Sequence, residues 1–174
     1  MTIATYSPGD INIIIRQPKL GVVYKVDGFT DMGTVDFARE VDSFTMYTSV
    51  DNRHTRVFNK NTSGTATFHL AQTSDSNDVL QGLYDTDVRS VEGGGQGYPI
   101  EVLIQDNNGR SFMFSQYAYF GKPADSNYTN NVEERQWTLF MPNCETYVGG
   151  NMNFSGAAAA ALEAMGVAID PDWL

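Results

Sequence analysis

Positive charge, cysteine and histidine are scarce in this sequence, and long hydrophobic runs are missing. Only 11 Lys and Arg stand against 21 Asp and Glu, a formal charge of −10. That balance opposes any protein that grips nucleic acid or an anionic membrane by electrostatics. One cysteine, Cys144, permits no internal disulfide and builds no zinc site alone. No stretch approaches the ~20 apolar residues that cross a bilayer. The opening MTIATYSPGD lacks the basic-then-apolar order of a secretory signal, so folding in a reducing cytoplasm is expected. The two histidines, His54 and His69, have no companion at metal-ligand spacing, and both are expected to be solvated.

What is present suits strands and turns. The 174 residues fit one domain, with 41% hydrophobic residues, 12% aromatics and 16 glycines. Charged residues are 18%, below the roughly 25% of an ordinary soluble domain. Ile11, Ile13 and Ile15 alternate with Asn12, Ile14 and Arg16, the period of a strand with one buried face. A second strand follows over Leu20–Val26. Phe44–Thr48 and Thr55–Phe58 flank a polar tip and read as a long hairpin over 43–59. In GTATFHLAQ, Ala66, Phe68 and Leu70 point one way and Thr65, Thr67 and His69 the other. Residues 99–106 and 110–120 flank Asn107-Asn108-Gly109, where an Asn-Gly hairpin turn with positive φ is expected. The run ERQWTLFMP sets Trp137, Leu139 and Met141 on one face. Seven or eight strands at this spacing predict a mainly β fold, an antiparallel barrel or sandwich.

One helix is expected near 74–86, with Asp75 and Asp78 in its first turn and Val79, Leu80, Leu83 and Tyr84 along one stripe. Residues 1–150 read as one β domain. Composition then shifts to an Ala/Gly-rich tail over 151–174, whose five alanines favour a short helix.

Nothing in the pattern points to catalysis, and no cofactor is expected. There is no nucleophile elbow. The glycine run at 93–97 lacks the Lys-Ser/Thr of a phosphate loop and reads as a connector. Glu133 and Glu134 are adjacent on a strand, so they point apart and cannot flank one glycosidic bond. Cys144 reads as a half-buried small apolar residue. Tyr117, Tyr119 or Trp137 could form a stacking platform, which keeps a carbohydrate- or receptor-binding β-sandwich as the alternative. More telling is a surplus of strand. Ile14 and Val23 are apolar on the face away from the core, and apolar outward faces with free edges invite other chains.

The strings YSPGDINIII at 6–15, VDGF at 26–29, VDSFT at 41–45 and the long run from Arg56 to Leu80 resemble the tail tube proteins of contractile-tailed bacteriophages. Ser63–Leu80 is the most specific stretch, and QWTLF at 136–140 agrees with it. The resemblance covers about residues 5–150. It implies a small β-barrel with a flanking helix, forming hexameric rings that stack into a hollow conduit for genome delivery. Implied partners are a sheath outside, tape-measure protein and DNA in the lumen without sequence-specific binding, and baseplate and tail terminator at the ends, with no membrane. The implied location is the virion tail, after synthesis in the host cytoplasm. Under this reading Asp51, Asn52, Arg53, His54 and Arg56 form a hairpin tip for subunit contact and ring stacking. Asp36, Glu40, Asp42, Glu101, Glu133 and Glu134 are candidates for an acidic channel wall that DNA slides past.

Overall fold

The computed structural model describes Ile3, residues 5–31 and residues 33–174. Two strands, β1 (Ile11–Gln17) and β2 (Val22–Val26), open the fold as an antiparallel pair. Ile13 and Ile15 are fully buried, as their alternation demands. β3 (Val35–Arg39) follows, then β4 (Phe44–Thr48), β5 (His54–Phe58) and β6 (Gly64–Ala71). Helix α1 (Ser76–Glu92) leads to β7 (Ile100–Asp106), β8 (Phe112–Phe120), β9 (Glu134–Met141) and the short β10 (Glu145–Tyr147). A last helix, α2 (Gly156–Ala164), lies in the tail.

The main sheet is antiparallel throughout, in the order β2-β1-β7-β8-β9-β6-β3, with β10 also paired to β8. Its inner face supplies the core: Ile13, Ile15, Phe68, Leu70, Val102, Trp137, Leu139 and Met141. The barrel expected from the sequence is not closed. β2 and β3 share no ladder. The link from β2 bridges to β6 instead, where Gly28 O accepts from Ala71 N (2.8 Å) and Thr30 N donates to His69 O (3.0 Å). At Gly28 φ is +74°, and a Cβ there would overlap the Ser74 hydroxyl, so glycine is required for this crossing.

Helix α1 runs six residues past its expected end, because nothing stops it before the glycines at 93–95. Leu80 and Leu83 are buried, with Val79 and Tyr84 packed beside them. Its first turn is anchored by polar groups. Asn77 Oδ1 accepts from Trp137 Nε1 (3.0 Å), and the buried Ser76 hydroxyl meets Asp27 and the Tyr24 hydroxyl.

Other details differ from the sequence expectation. β3 and β10 were not anticipated; each is five residues or shorter, and β3 has only half-buried or exposed positions. The β7–β8 hairpin exists, but Asn108-Gly109 is not a positive-φ turn. Five residues link the strands, closed by Asp106 N to Ser111 O (3.0 Å) and by Asn108 N to Asp106 Oδ1 (3.0 Å). Cys144 is 5% exposed, more buried than expected, and burial pushes its thiol pKa up.

Candidate assembly surfaces

β4 and β5 continue the β3–β6 pair beyond the sheet. Glu40 N to Ser63 O (3.1 Å) and Asn59 N to Ser43 O (2.8 Å) carry the pairing across the root. The ribbon turns at Asp51-Asn52, where Asn52 takes φ 58° and Ser49 N bonds Arg53 O (2.9 Å). From Glu40 to the turn the arm reaches roughly 35 Å. Every residue of β4 and β5 is exposed. Phe44, Met46, Tyr47, Val50, Val57 and Phe58 are exposed; Phe44 and Phe58 meet ring to ring, and Arg56 lies over Phe44. A lone two-stranded ribbon is marginal in water, and such a display of apolar surface marks a contact site. Of the predicted tip residues, Asp51, Asn52 and Arg53 form the turn. His54 opens β5 and shares a hydrogen bond with Thr48 (3.0 Å), and Arg56 sits lower on the arm.

The outward face of the sheet has two characters. Over β3, β6 and β9 it is polar: Asp36, Thr65, Thr67, His69, Glu134, Gln136 and Thr138. Over β2, β1, β7 and β8 it is more apolar, with Val23, Ile14, Leu103 and Phe114 set among Lys25, Arg16 and Glu101.

His69 is not a solvated strand histidine. Its side chain is 16% exposed, with Nε2 2.6 Å from Asp36 Oδ2 and Nδ1 bonded to Glu134 Oε1. Alternation put it on the outward face; pairing with β3 and β9 brought a carboxylate to each side. Burial pulls its pKa down, but the bonds and charges of Glu134 and Asp36 outweigh that and leave it raised. The bond from His69 holds Glu134 below the usual carboxylate value. Which strands flank β6 could not be read from the chain, so this cluster had no sequence signal beyond the residue types.

Of the other acids, Glu40 accepts from the Thr65 hydroxyl (3.0 Å) on the same face. Asp42 is exposed at the root of the arm. Glu133 precedes β9 and takes a bond from Thr129. Glu101 stands apart on β7, paired with Arg16 at 3.4 Å. Asp36 and Glu134 therefore meet at His69, Glu40 lies farther along the same strands, and Glu101 is apart from all three.

Trp137 is 2% exposed inside the core, which removes it from any stacking platform, while Tyr117 and Tyr119 are exposed on β8. The tail folds back on the β7–β8 turn. The Arg110 guanidinium lies between the Phe154 ring (4.0 Å) and the Trp173 ring (4.6 Å), and its Nη1 donates to Met152 O (2.7 Å). Helix α2 itself buries no residue.

An exposed, apolar-faced arm on a half-open sheet belongs to the class of proteins built to be one piece of something larger. The comparisons place that class in phage particles. The chain is 40% identical over 171 residues to structural protein ORF10 of Pseudomonas phage KPP10, covering 98% of this chain and 97% of the relative. The family described as bacteriophage PhiTE tail tube protein matches residues 3–149. The chain belongs to that tail tube family, a family of structural proteins and not of enzymes, and it is part of the virion. No helix among the described residues is long and apolar enough to cross a membrane.

Proposed function

We propose that this chain is the repeating subunit of a contractile phage's tail tube, in which hexameric rings stack into a hollow conduit for genome delivery. The arm is the observation that carries this reading. It leaves the sheet as a paired ribbon, displays apolar side chains along its length and, among the described residues, pairs with no other strand. A neighbouring subunit would cover it, in the same ring or the next. Ring closure needs a head-to-tail contact whose rotation closes, and two free sheet edges, β2 and β3, are available for it.

The two-sided outward face supports a division of labour. The polar half over β3, β6 and β9, with Asp36, Glu40 and Glu134, faces the water-filled channel, and the apolar half meets other protein. Asp42 at the arm root and Glu133 beside β9 extend the acidic set, while Glu101 is left on the other half of the face, paired with Arg16. A wall without net positive charge repels the phosphate backbone weakly and lets it slide. The sheath surrounds the tube, the tape-measure protein and DNA occupy the lumen, and the baseplate and terminator close its ends.

The test is electron microscopy of the purified chain with its mass measured by light scattering. Rings of hexamer mass, or hollow tubes built from them, are expected. A monodisperse monomer at high concentration overturns the reading, and a channel lined mainly by Lys and Arg overturns the assignment of the acidic wall.

A further inference from the structure

Where the sheet fails to close, it leaves a cleft. Two adjoining cavities of about 180 and 700 Å3 share Ile11 and Val35. Ile104 and Met113 from β7 and β8, Phe29 from the β2–β3 link and Phe37 from β3 complete its apolar walls. Asp31, Asp36 and Asp106 line it, and no Lys or Arg does among the described residues.

One wall of the cleft is an unpaired strand edge. Among the described residues, β3 pairs only with β6. The bonds from His69 N to Thr34 O and from Glu40 N to Ser63 O turn the even-numbered residues toward β6. In an antiparallel ladder the odd ones then aim their N–H and C=O the other way, so Val35 and Phe37 offer free backbone groups beside the cavity they line. A half-buried, unpaired edge of this kind invites another strand.

The arm has the complementary chemistry. Residues 44–60 hold three bases, Arg53, Arg56 and Lys60, against one acid, Asp51, in a chain of formal charge −10. None of the three bases forms an ion pair among the described residues. The arm also exposes apolar side chains, as the cleft walls do, and among the described residues neither of its outer edges is paired. The arm cannot fill the cleft of its own chain, because it continues β3 outward through only residues 40–43.

We infer that the acidic cleft beside β3 receives the arm of a second copy, with the arm adding a strand to the free edge and its bases meeting Asp31 and Asp106. This rests on the tube reading above and names the surface to which the arm binds. The contact is heterologous, since donor and acceptor are different surfaces, so each copy offers one arm and one cleft and assembly continues from copy to copy.

A charge swap tests it on the full chain. Asp31→Lys with Asp106→Lys reverses the cleft, and Arg53→Asp with Arg56→Asp reverses the arm. Each pair alone is expected to raise the concentration needed for assembly by about tenfold or more, and the quadruple variant to return within about threefold of wild type. Circular dichroism checks that each variant is folded. If Asp106→Lys disturbs its turn, Asp31→Lys alone carries the cleft arm of the test. Loss of assembly on arm reversal with no effect of cleft reversal overturns the cleft assignment and leaves the tube reading intact, as does a quadruple variant that fails to recover. A wild-type chain that never assembles overturns the tube reading itself.

Discussion

His69 joins three strands through one imidazole, since Asp36 is on β3 and Glu134 on β9. The raised pKa of His69 means its contribution to stability is complete below its ordinary value of 6.5 and fades as pH climbs through the higher folded value. The lowered pKa of Glu134 works the other way: its contribution is complete above its ordinary 4.5 and fades as pH falls through the depressed value. The cluster therefore holds best between about pH 4.5 and 6.5, the window that both shifts leave intact. Urea unfolding across pH 5 to 9 should show wild-type stability declining above neutrality, with His69→Gln flatter over that range. Parallel curves for the two proteins would show that the imidazole carries no linkage.

Among the elements, the arm was the most legible and α1 nearly so. Alternation flanking a polar Asp-Asn step marks a hairpin whatever surrounds it, and the stripe at Val79, Leu80, Leu83 and Tyr84 marks one face of a helix. Neither signal depends on the rest of the fold. β3 was missed because an edge strand is short and half-exposed, which leaves little apolar alternation to read. Because the arm adds nothing to the core, deleting residues 50–56 should leave the melting temperature within a few degrees of wild type. Ring stacking, read by electron microscopy, should fail. Normal tubes from that deletion would show that the tip is dispensable, and a large drop in melting temperature would show that it supports the sheet.

At the scale of the whole molecule, the residues that make the core all lie between Ile13 and Cys144. The tail beyond residue 150 is attached chiefly through Arg110, stacked between Phe154 and Trp173. Arg110 is half-buried, and cation–π contacts run from about 0.5–1 kcal/mol at exposed sites to about 2 kcal/mol when desolvated. Removing residues 151–174 should therefore lower the melting temperature by no more than about 15 °C and leave the far-ultraviolet spectrum β-rich. Collapse of the fold on truncation would make the tail part of the domain. Helix α2, with no buried residue, is held at its N-terminus by Ser155, whose hydroxyl accepts from Ala158 N (3.2 Å).

The sequence by itself determined the β-rich class, the inward and outward faces of β1, β6 and β9, the arm and the acidic surplus. Those are local quantities, set by period, turn chemistry and charge. Tertiary structure decided that the sheet stays open, that Trp137 is core and not platform, that His69 is clamped by carboxylates from two other strands, and that a cleft lies along β3. Each of these depends on which strands become neighbours, and strand order is fixed by long-range packing of the inner face, which no local pattern records.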